Sequence, residues 1–116
     1  MATPEGKIKS YPIPKGSLEK VTKDQIKKYF KDNNIWYKMP QPGTYGGNTG
    51  TSDFQALHKG LFIAVEAKRN SPSAKLTPQQ SDYLDCVNAN GGLGVVISCE
   101  ADLMSLDLVL KYRELI

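Results

Sequence analysis

The sequence predicts an α/β domain in which a mixed β-sheet is flanked by helices. Apolar runs of strand length alternate along the chain with segments of helical periodicity. One helical segment separates the last two strand-like runs, which makes a crossover between parallel strands possible. The chain has 116 residues, enough for one modest core. We therefore expect one core domain over residues 17–116, preceded by an N-terminal arm over residues 1–16.

The first helix is expected from Ser17 to about Asn33, directly after the arm. The arm contains three prolines and Gly16, which interrupt helix and strand alike. Ser17 is the favoured N-cap, and the alternative is a capping box made by Thr22 and Gln25. One helical face carries lysines, and the opposite face carries the apolar residues Leu18, Val21, Ile26, Tyr29 and Phe30.

Three strands are expected next, at residues 35–39, 52–57 and 61–68. Glycines and prolines fill residues 40–50 and predict a long loop whose backbone can approach a ligand closely. Turn-forming residues at 58–60 predict a hairpin between the second and third strands.

The second helix has clear start and stop signals. Thr77 is expected to be its N-cap, Pro78 its first residue and Gln80 the third residue of a capping box. Gly91 and Gly92 are expected to end it. An apolar strand at residues 93–98 and a last helix near residues 100–114 complete the predicted elements.

Composition limits the class of protein. Hydrophobic residues make up 40% of the chain and charged residues 23%, with no apolar run of membrane-spanning length. The N-terminus lacks the pattern of a secretory signal, so an intracellular, reducing setting is expected. Cys86 and Cys99 are interpreted as packed thiols rather than a disulfide or metal ligands.

The charge is distributed unevenly along the chain. The net charge is +3, but residues 1–38 hold nine lysines against four acidic residues. A basic N-terminal third suits a nucleic-acid backbone, because each phosphate that is neutralised releases counterions. A solvated lysine-rich helix face explains the same charge equally well.

The most informative stretch is the end of the third strand, where buried apolar residues give way to Glu66 and Lys68. These side chains share one face of the strand, and the hairpin would place Asp53 beside Glu66. Two carboxylates with the Ala67 carbonyl offer the hard oxygen ligands that Mg²⁺ or Mn²⁺ prefers. Such an ion and the Lys68 ammonium suit phosphodiester hydrolysis. The alternative is a surface pair of Glu66 and Lys68 with an unrelated Asp53.

Four ordered motifs resemble the VRR-NUC family, a branch of the PD-(D/E)XK nuclease superfamily that is found alone in phages and bacteria. The resemblance covers roughly residues 17–103. The motifs are Gly-Thr-Ser-Asp-Phe at 50–54, Phe-Ile-Ala-Val-Glu-Ala-Lys at 62–68, Leu-Thr-Pro-Gln-Gln at 76–80 and Gly-Gly-Leu-Gly-Val-Val-Ile at 91–97. The family usually has a proline where this chain has Ser52. Proline holds the chain extended but is not a metal ligand, so this difference affects local rigidity rather than chemistry.

The resemblance implies a PD-(D/E)XK restriction-endonuclease-like core and a set of site residues. Asp53 and Glu66 would hold the metal ion with the Ala67 carbonyl, Lys68 would be the catalytic lysine, and Gln80 would lie beside them. The family also places a glutamate of the first helix near the metal, for which Glu19 is the candidate. Gln80 also suits the capping box, and Glu19 also suits the helix dipole.

The implied activity is Mg²⁺- or Mn²⁺-dependent cleavage of DNA, with neither an organic cofactor nor a membrane. Family members of this minimal kind are similar to Holliday-junction resolvases, which predicts a homodimer acting on branched DNA. A nuclease for flaps or generic DNA and a non-catalytic DNA-binding module are the alternatives. Trp36 is interpreted as a core residue and Tyr37 as strand surface. The candidate DNA contacts are Tyr45, Gly46, Gly47, Arg69 and Lys75.

Overall fold

A computed structural model describes residues 9–40 and 51–116 of the chain. The described residues form an α/β domain with three helices and a four-stranded mixed sheet. In chain order the elements are α1 (Glu19–Asp32), β1 (Trp36–Lys38), β2 (Phe54–His58), β3 (Leu61–Ala67), α2 (Pro78–Ala89), β4 (Leu93–Ile97) and α3 (Glu100–Tyr112). The predicted fold class, a mixed sheet flanked by helices, is confirmed.

The strands lie side by side in the order β1-β2-β3-β4. Strands β1, β2 and β3 are antiparallel neighbours, whereas β4 runs parallel to β3 because α2 makes the crossover. The hairpin between β2 and β3 is tight, with positive φ angles of 49° at Lys59 and 86° at Gly60. Both central residues of a type I′ turn need positive φ, so this turn sets the hairpin register that pairs Phe54 with Val65.

The main core lies on one face of the sheet. Helix α1 contributes buried aromatic side chains, and Phe30 meets Phe54 with their ring centroids 5.8 Å apart. Helix α3 adds the buried Leu103, Leu106 and Leu110. Helix α2 packs on the other face, where a Cβ on Gly94 would lie only 2.8 Å from the Leu84 carbonyl oxygen. This close approach fixes the helix that carries Gln80.

Helix α1 begins at Glu19, with Leu18 in the N-cap position and no side-chain cap. Neither expected N-cap, Ser17 or Thr22, occupies that position. Thr22 is fully buried inside the helix, and its hydroxyl donates to the Lys68 carbonyl at 2.9 Å. The Lys68 carbonyl that accepts this hydrogen bond is 46 residues away in sequence, so the hydroxyl serves a tertiary contact rather than a helix cap.

Helix α2 begins as predicted. Thr77 accepts a hydrogen bond from the Gln80 backbone, the Gln80 side chain bonds back to the Thr77 backbone, and Pro78 is the first helical residue. Gly91 follows the helix with a φ of 89°, the left-handed conformation expected just beyond a C-cap.

The described part of the predicted arm, residues 9–16, contains neither helix nor strand. Its Tyr11 and Ile13 are nevertheless buried in the core. The Asn70 side chain donates to the Ile13 carbonyl at 2.8 Å, and the Gly16 amide donates to the Asn70 carbonyl at 2.8 Å. These bonds fasten the segment beside the chain that leaves β3.

The side chains of strand β1 face the opposite sides of the sheet from those expected. Tyr37 faces the core, with its ring centroid 5.2 Å from that of Phe30, whereas Trp36 is 60% exposed. Successive strand side chains alternate between faces, so inward placement of Tyr37 turns Trp36 outward. The interpretation of Trp36 as a core residue is therefore wrong.

Both cysteines are free thiols, and Cys86 is exposed rather than packed as expected. Among residues 9–40 and 51–116, no helix is both long enough and apolar enough to cross a membrane.

Candidate functional site

The structure brings Asp53 and Glu66 together at one end of the β2–β3 hairpin. Asp53 immediately precedes β2, and the register places it beside the end of β3. The Ala67 amide donates to Asp53 Oδ2 at 2.9 Å, and the Asp53 amide donates to Glu66 Oε1 at 3.3 Å. These reciprocal contacts hold two carboxylates next to one another, as the predicted hairpin requires.

Glu66 is the more deeply buried of the two acids. Its side chain is 4% exposed, while that of Asp53 is 22% exposed. Burial, together with the negative charge of Asp53, raises the pKa of Glu66 to about 7, although the Lys68 ammonium opposes the shift. The two carboxylates therefore lie close enough for the charge of Asp53 to help raise the pKa of Glu66.

Lys68 lies at the edge of this pair and is held by Gln80. Its Nζ donates to Gln80 Oε1 at 3.0 Å and lies 3.8 Å from Glu66 Oε2. The Gln80 amide group donates to that same Glu66 oxygen at 2.8 Å. Gln80 therefore bridges the acid and the ammonium, and it fixes the direction in which Lys68 points.

Gln80 also performs its expected capping role. Its Oε1 accepts from the Thr77 backbone amide at 2.9 Å while it accepts from Lys68. The start of helix α2 and the candidate site thus share one side chain. The two interpretations of Gln80 are compatible.

The backbone of Lys68 is fixed from both sides. Its amide donates to the Ile97 carbonyl of β4 at 2.9 Å, and its carbonyl accepts from the buried Thr22 hydroxyl. Helix α1 and strand β4 therefore both position the residue that follows β3. Sequence reasoning considered Thr22 only as a helix cap and missed this contact.

Lys23 is a second residue that sequence reasoning missed. Its Nζ lies 3.0 Å from Glu19 Oε2 and 3.7 Å from Asp53 Oδ1. Burial alone would lower the pKa of Lys23, but the hydrogen bond to Glu19 and the charge of Asp53 outweigh it and raise that pKa. The i, i+4 spacing of Glu19 and Lys23 signalled their pairing, but not their position beside Asp53.

Glu19 therefore reaches the site through Lys23. No group of three acidic, histidine or cysteine side chains that could hold a metal ion occurs among residues 9–40 and 51–116. The available ligands are the carboxylates of Asp53 and Glu66 and the carbonyl of Ala67. This oxygen-only set has the chemistry that Mg²⁺ or Mn²⁺ prefers, and a divalent cation there would offset the repulsion between the two carboxylates that helps to raise the pKa of Glu66.

Two of the predicted DNA contacts lie in the described part of the chain. Arg69 and Lys75 are exposed in the connector after β3, and Arg69 Nη2 donates to Ser73 Oγ at 3.0 Å. Tyr45, Gly46 and Gly47 lie outside the described residues.

Ser52, which stands where the family usually has proline, is buried and donates its hydroxyl to the Phe54 carbonyl at 2.8 Å. That bond constrains the chain just before β2.

Comparisons of the chain with models of protein families, with curated proteins and with solved structures found no match. The resemblance to the VRR-NUC family therefore rests on the four sequence motifs.

Proposed function

We propose that the protein is a Mg²⁺- or Mn²⁺-dependent endodeoxyribonuclease of the VRR-NUC type with a PD-(D/E)XK core. One observation carries the proposal: the buried Glu66 carboxylate lies beside Asp53, with the Lys68 ammonium held next to it by Gln80. The mixed sheet with helices on either side supports the proposal, since the PD-(D/E)XK core is of this class.

The carboxylate pair is poorly explained as a device for stability. A buried charge costs several kcal/mol unless it is well paired, and here Lys68 lies 3.8 Å from Glu66. A surface ion pair would leave Glu66 in water, whereas its side chain is 4% exposed. Stability that is given up at a cluster of ionisable groups is typical of a functional site.

In the proposed reaction, Asp53, Glu66 and the Ala67 carbonyl would hold the metal ion. A bound Mg²⁺ or Mn²⁺ would polarise the phosphoryl group and lower the pKa of a water molecule. Lys68 would stabilise the negative charge that develops on the scissile phosphate, because its ammonium is held in place before the substrate arrives. Gln80 would keep Lys68 and Glu66 in the required positions.

The substrate proposed from the resemblance is branched DNA, and a homodimer would place two sites on its two symmetric strands. The protein would then act inside cells, in the host cytoplasm if a phage encodes it. A panel of labelled DNAs tests this choice: a four-way junction, a flap and a linear duplex of matched sequence, each with Mg²⁺, Mn²⁺ or EDTA.

The panel has three informative outcomes. Paired symmetric cuts on the junction, made by a protein that sediments as a dimer, would support the resolvase. Equal cutting of the linear duplex or preference for the flap would keep the nuclease and overturn junction resolution. Binding without cutting in either metal would overturn the nuclease in favour of a DNA-binding module.

Gln80→Ala is expected to lower the cleavage rate by about 10- to 100-fold, the usual effect of losing a residue that orients a metal ligand. It should also destabilise the protein by about 1 kcal/mol through loss of the capping box. Thr77→Ala is the matched control. It removes the 3.1 Å hydrogen bond that the Gln80 backbone amide donates to the Thr77 hydroxyl, and it leaves the contacts of the Gln80 side chain with Glu66 and Lys68. Rates and thermal unfolding of both variants separate the roles. Equal rates in both would show that Gln80 acts only as a cap.

A further inference from the structure

A second surface with the chemistry of a nucleic-acid site lies between helix α1 and strand β1. It is an open groove of about 660 Å³, and we call it the α1–β1 groove. Strand β1 is at the edge of the described sheet. The residues that characterise the lining are Lys27, Lys28, Lys31, Trp36 and Tyr37.

Trp36 is the aromatic feature of this groove. It is the only tryptophan in the chain, and 60% of its surface is exposed. Aromatic faces of this kind stack on unpaired bases, and the interaction tolerates any base because every base has a π-face. The inward placement of Tyr37 leaves Trp36 free of the core.

The charge of the groove is positive. Its lining includes three lysines and one acidic residue, Asp24. The Asp24 carboxylate already forms an ion pair with Lys20, whose Nζ lies 2.9 Å from Asp24 Oδ2. Lys27 lies 4.0 Å from Asp24, at the limit of an ion pair. Within the described parts of the chain, no acidic side chain pairs with Lys31. Lys27 and Lys31 are four residues apart, so they project from one face of α1.

Helix α1 connects the groove to the candidate site. Its first turns reach the site, where Lys23 lies 3.7 Å from Asp53, and its last turn carries Lys31. Eight residues separate these lysines, about 12 Å along a helix. A strand of DNA leaving the site along α1 would therefore reach the groove within a few nucleotides.

We infer that the α1–β1 groove binds an unpaired stretch of single-stranded DNA, with Lys27 and Lys31 on its phosphates and Trp36 stacked on a base. The inference rests on the proposed function in that DNA is the substrate. It adds a single-strand contact away from the metal ligands, which suits a branched substrate whose arms open at the junction.

The fluorescence of Trp36 reports directly on this contact. We would titrate the full chain with an oligothymidylate of about ten nucleotides, a typical length for one single-strand site, in EDTA so that no cutting occurs. The expected result is quenching of the tryptophan emission. Trp36→Ala should weaken binding of a labelled oligonucleotide about tenfold, the usual order for one lost stacking contact.

Lys31→Gln and Lys111→Gln form a matched pair of variants. Both lysines lie in the last turn of a helix, but Lys111 is on α3 and outside the groove. Lys31→Gln should reduce the slope of log affinity against log salt by about 0.7, the value for one phosphate contact on a single strand. Lys111→Gln should leave the slope unchanged.

Absence of quenching, or equal salt slopes in the two lysine variants, would overturn the inference. A change in Trp36 emission with protein concentration alone would overturn it too, because a second copy of the chain would then cover the groove. Quenching by a protein that never cuts DNA would refute the nuclease and keep the groove. Cutting without quenching would support the nuclease and refute binding of single-stranded DNA in the α1–β1 groove.

Discussion

Lys68→Ala is expected to reduce DNA cleavage by about 100- to 1,000-fold, the usual effect of removing one group that stabilises charge in the transition state. The Lys68 side chain is 16% exposed and its ammonium is held by the bond to Gln80, so it needs no rearrangement when the substrate binds. Its loss leaves Asp53, Glu66 and the Ala67 carbonyl in place. The variant should therefore still bind the metal ion.

Rates under single-turnover conditions and metal titration calorimetry check the two halves of this prediction. Lys111→Ala is the control, because it removes one lysine charge from α3, outside both the candidate site and the α1–β1 groove, at a side chain that is 61% exposed. We expect that control to cut at close to the wild-type rate. Cleavage by Lys68→Ala at the wild-type rate would exclude the proposed role of the lysine.

Glu66→Gln is expected to abolish cleavage and, without metal, to remove a fall in stability of about 1–3 kcal/mol that the wild type undergoes between pH 5 and pH 8. Burial and the charge of Asp53 raise the pKa of Glu66 from 4.5 to about 7, so between these pH values the folded state holds a proton that the unfolded state has already released. The contribution of Glu66 to the stability of the metal-free wild type therefore falls as the pH rises from about 4.5 through about 7. The amide introduced by the substitution carries no charge and removes that dependence.

Thermal unfolding of both proteins in EDTA between pH 5 and pH 8 measures this effect. Other titrating groups are common to both chains, so the difference between the two curves isolates Glu66. Mg²⁺ at pH 8 should raise the melting temperature of the wild type and leave that of the variant unchanged. A wild-type curve that falls no more steeply with pH than that of the variant would contradict the raised pKa of Glu66.

Local patterns were sufficient to predict the elements that carry the site. The hairpin turn and the capping box of Thr77 and Gln80 are encoded within a few residues, so the pairing of Asp53 with Glu66 and the place of Gln80 at the start of α2 followed from them. The position of Gln80 beside Glu66 was implied only by the family resemblance. The strand that ends in Glu66 and Lys68 also carried its own signal, because charges rarely end a buried apolar run.

Contacts distant in sequence could not be predicted in the same way. Thr22 looked like a helix cap because its partner, the Lys68 carbonyl, is distant along the chain. Alternation in β1 allowed either Trp36 or Tyr37 to face inward, and contact of Tyr37 with Phe30 and Phe54 decided the outcome. Lys23 entered the site only because α1 packs beside β3.

The measurement we would choose above the others is single-turnover cleavage of a labelled four-way DNA junction by the wild type and by Asp53→Asn, each with Mg²⁺ and with EDTA. Asp53→Asn replaces one proposed ligand with a neutral side chain of the same shape. Metal-dependent cuts by the wild type that vanish in the variant are the predicted result. Cleavage that persists in EDTA, or that survives in Asp53→Asn, would show that the carboxylate pair of Asp53 and Glu66 is not a metal-dependent nuclease site.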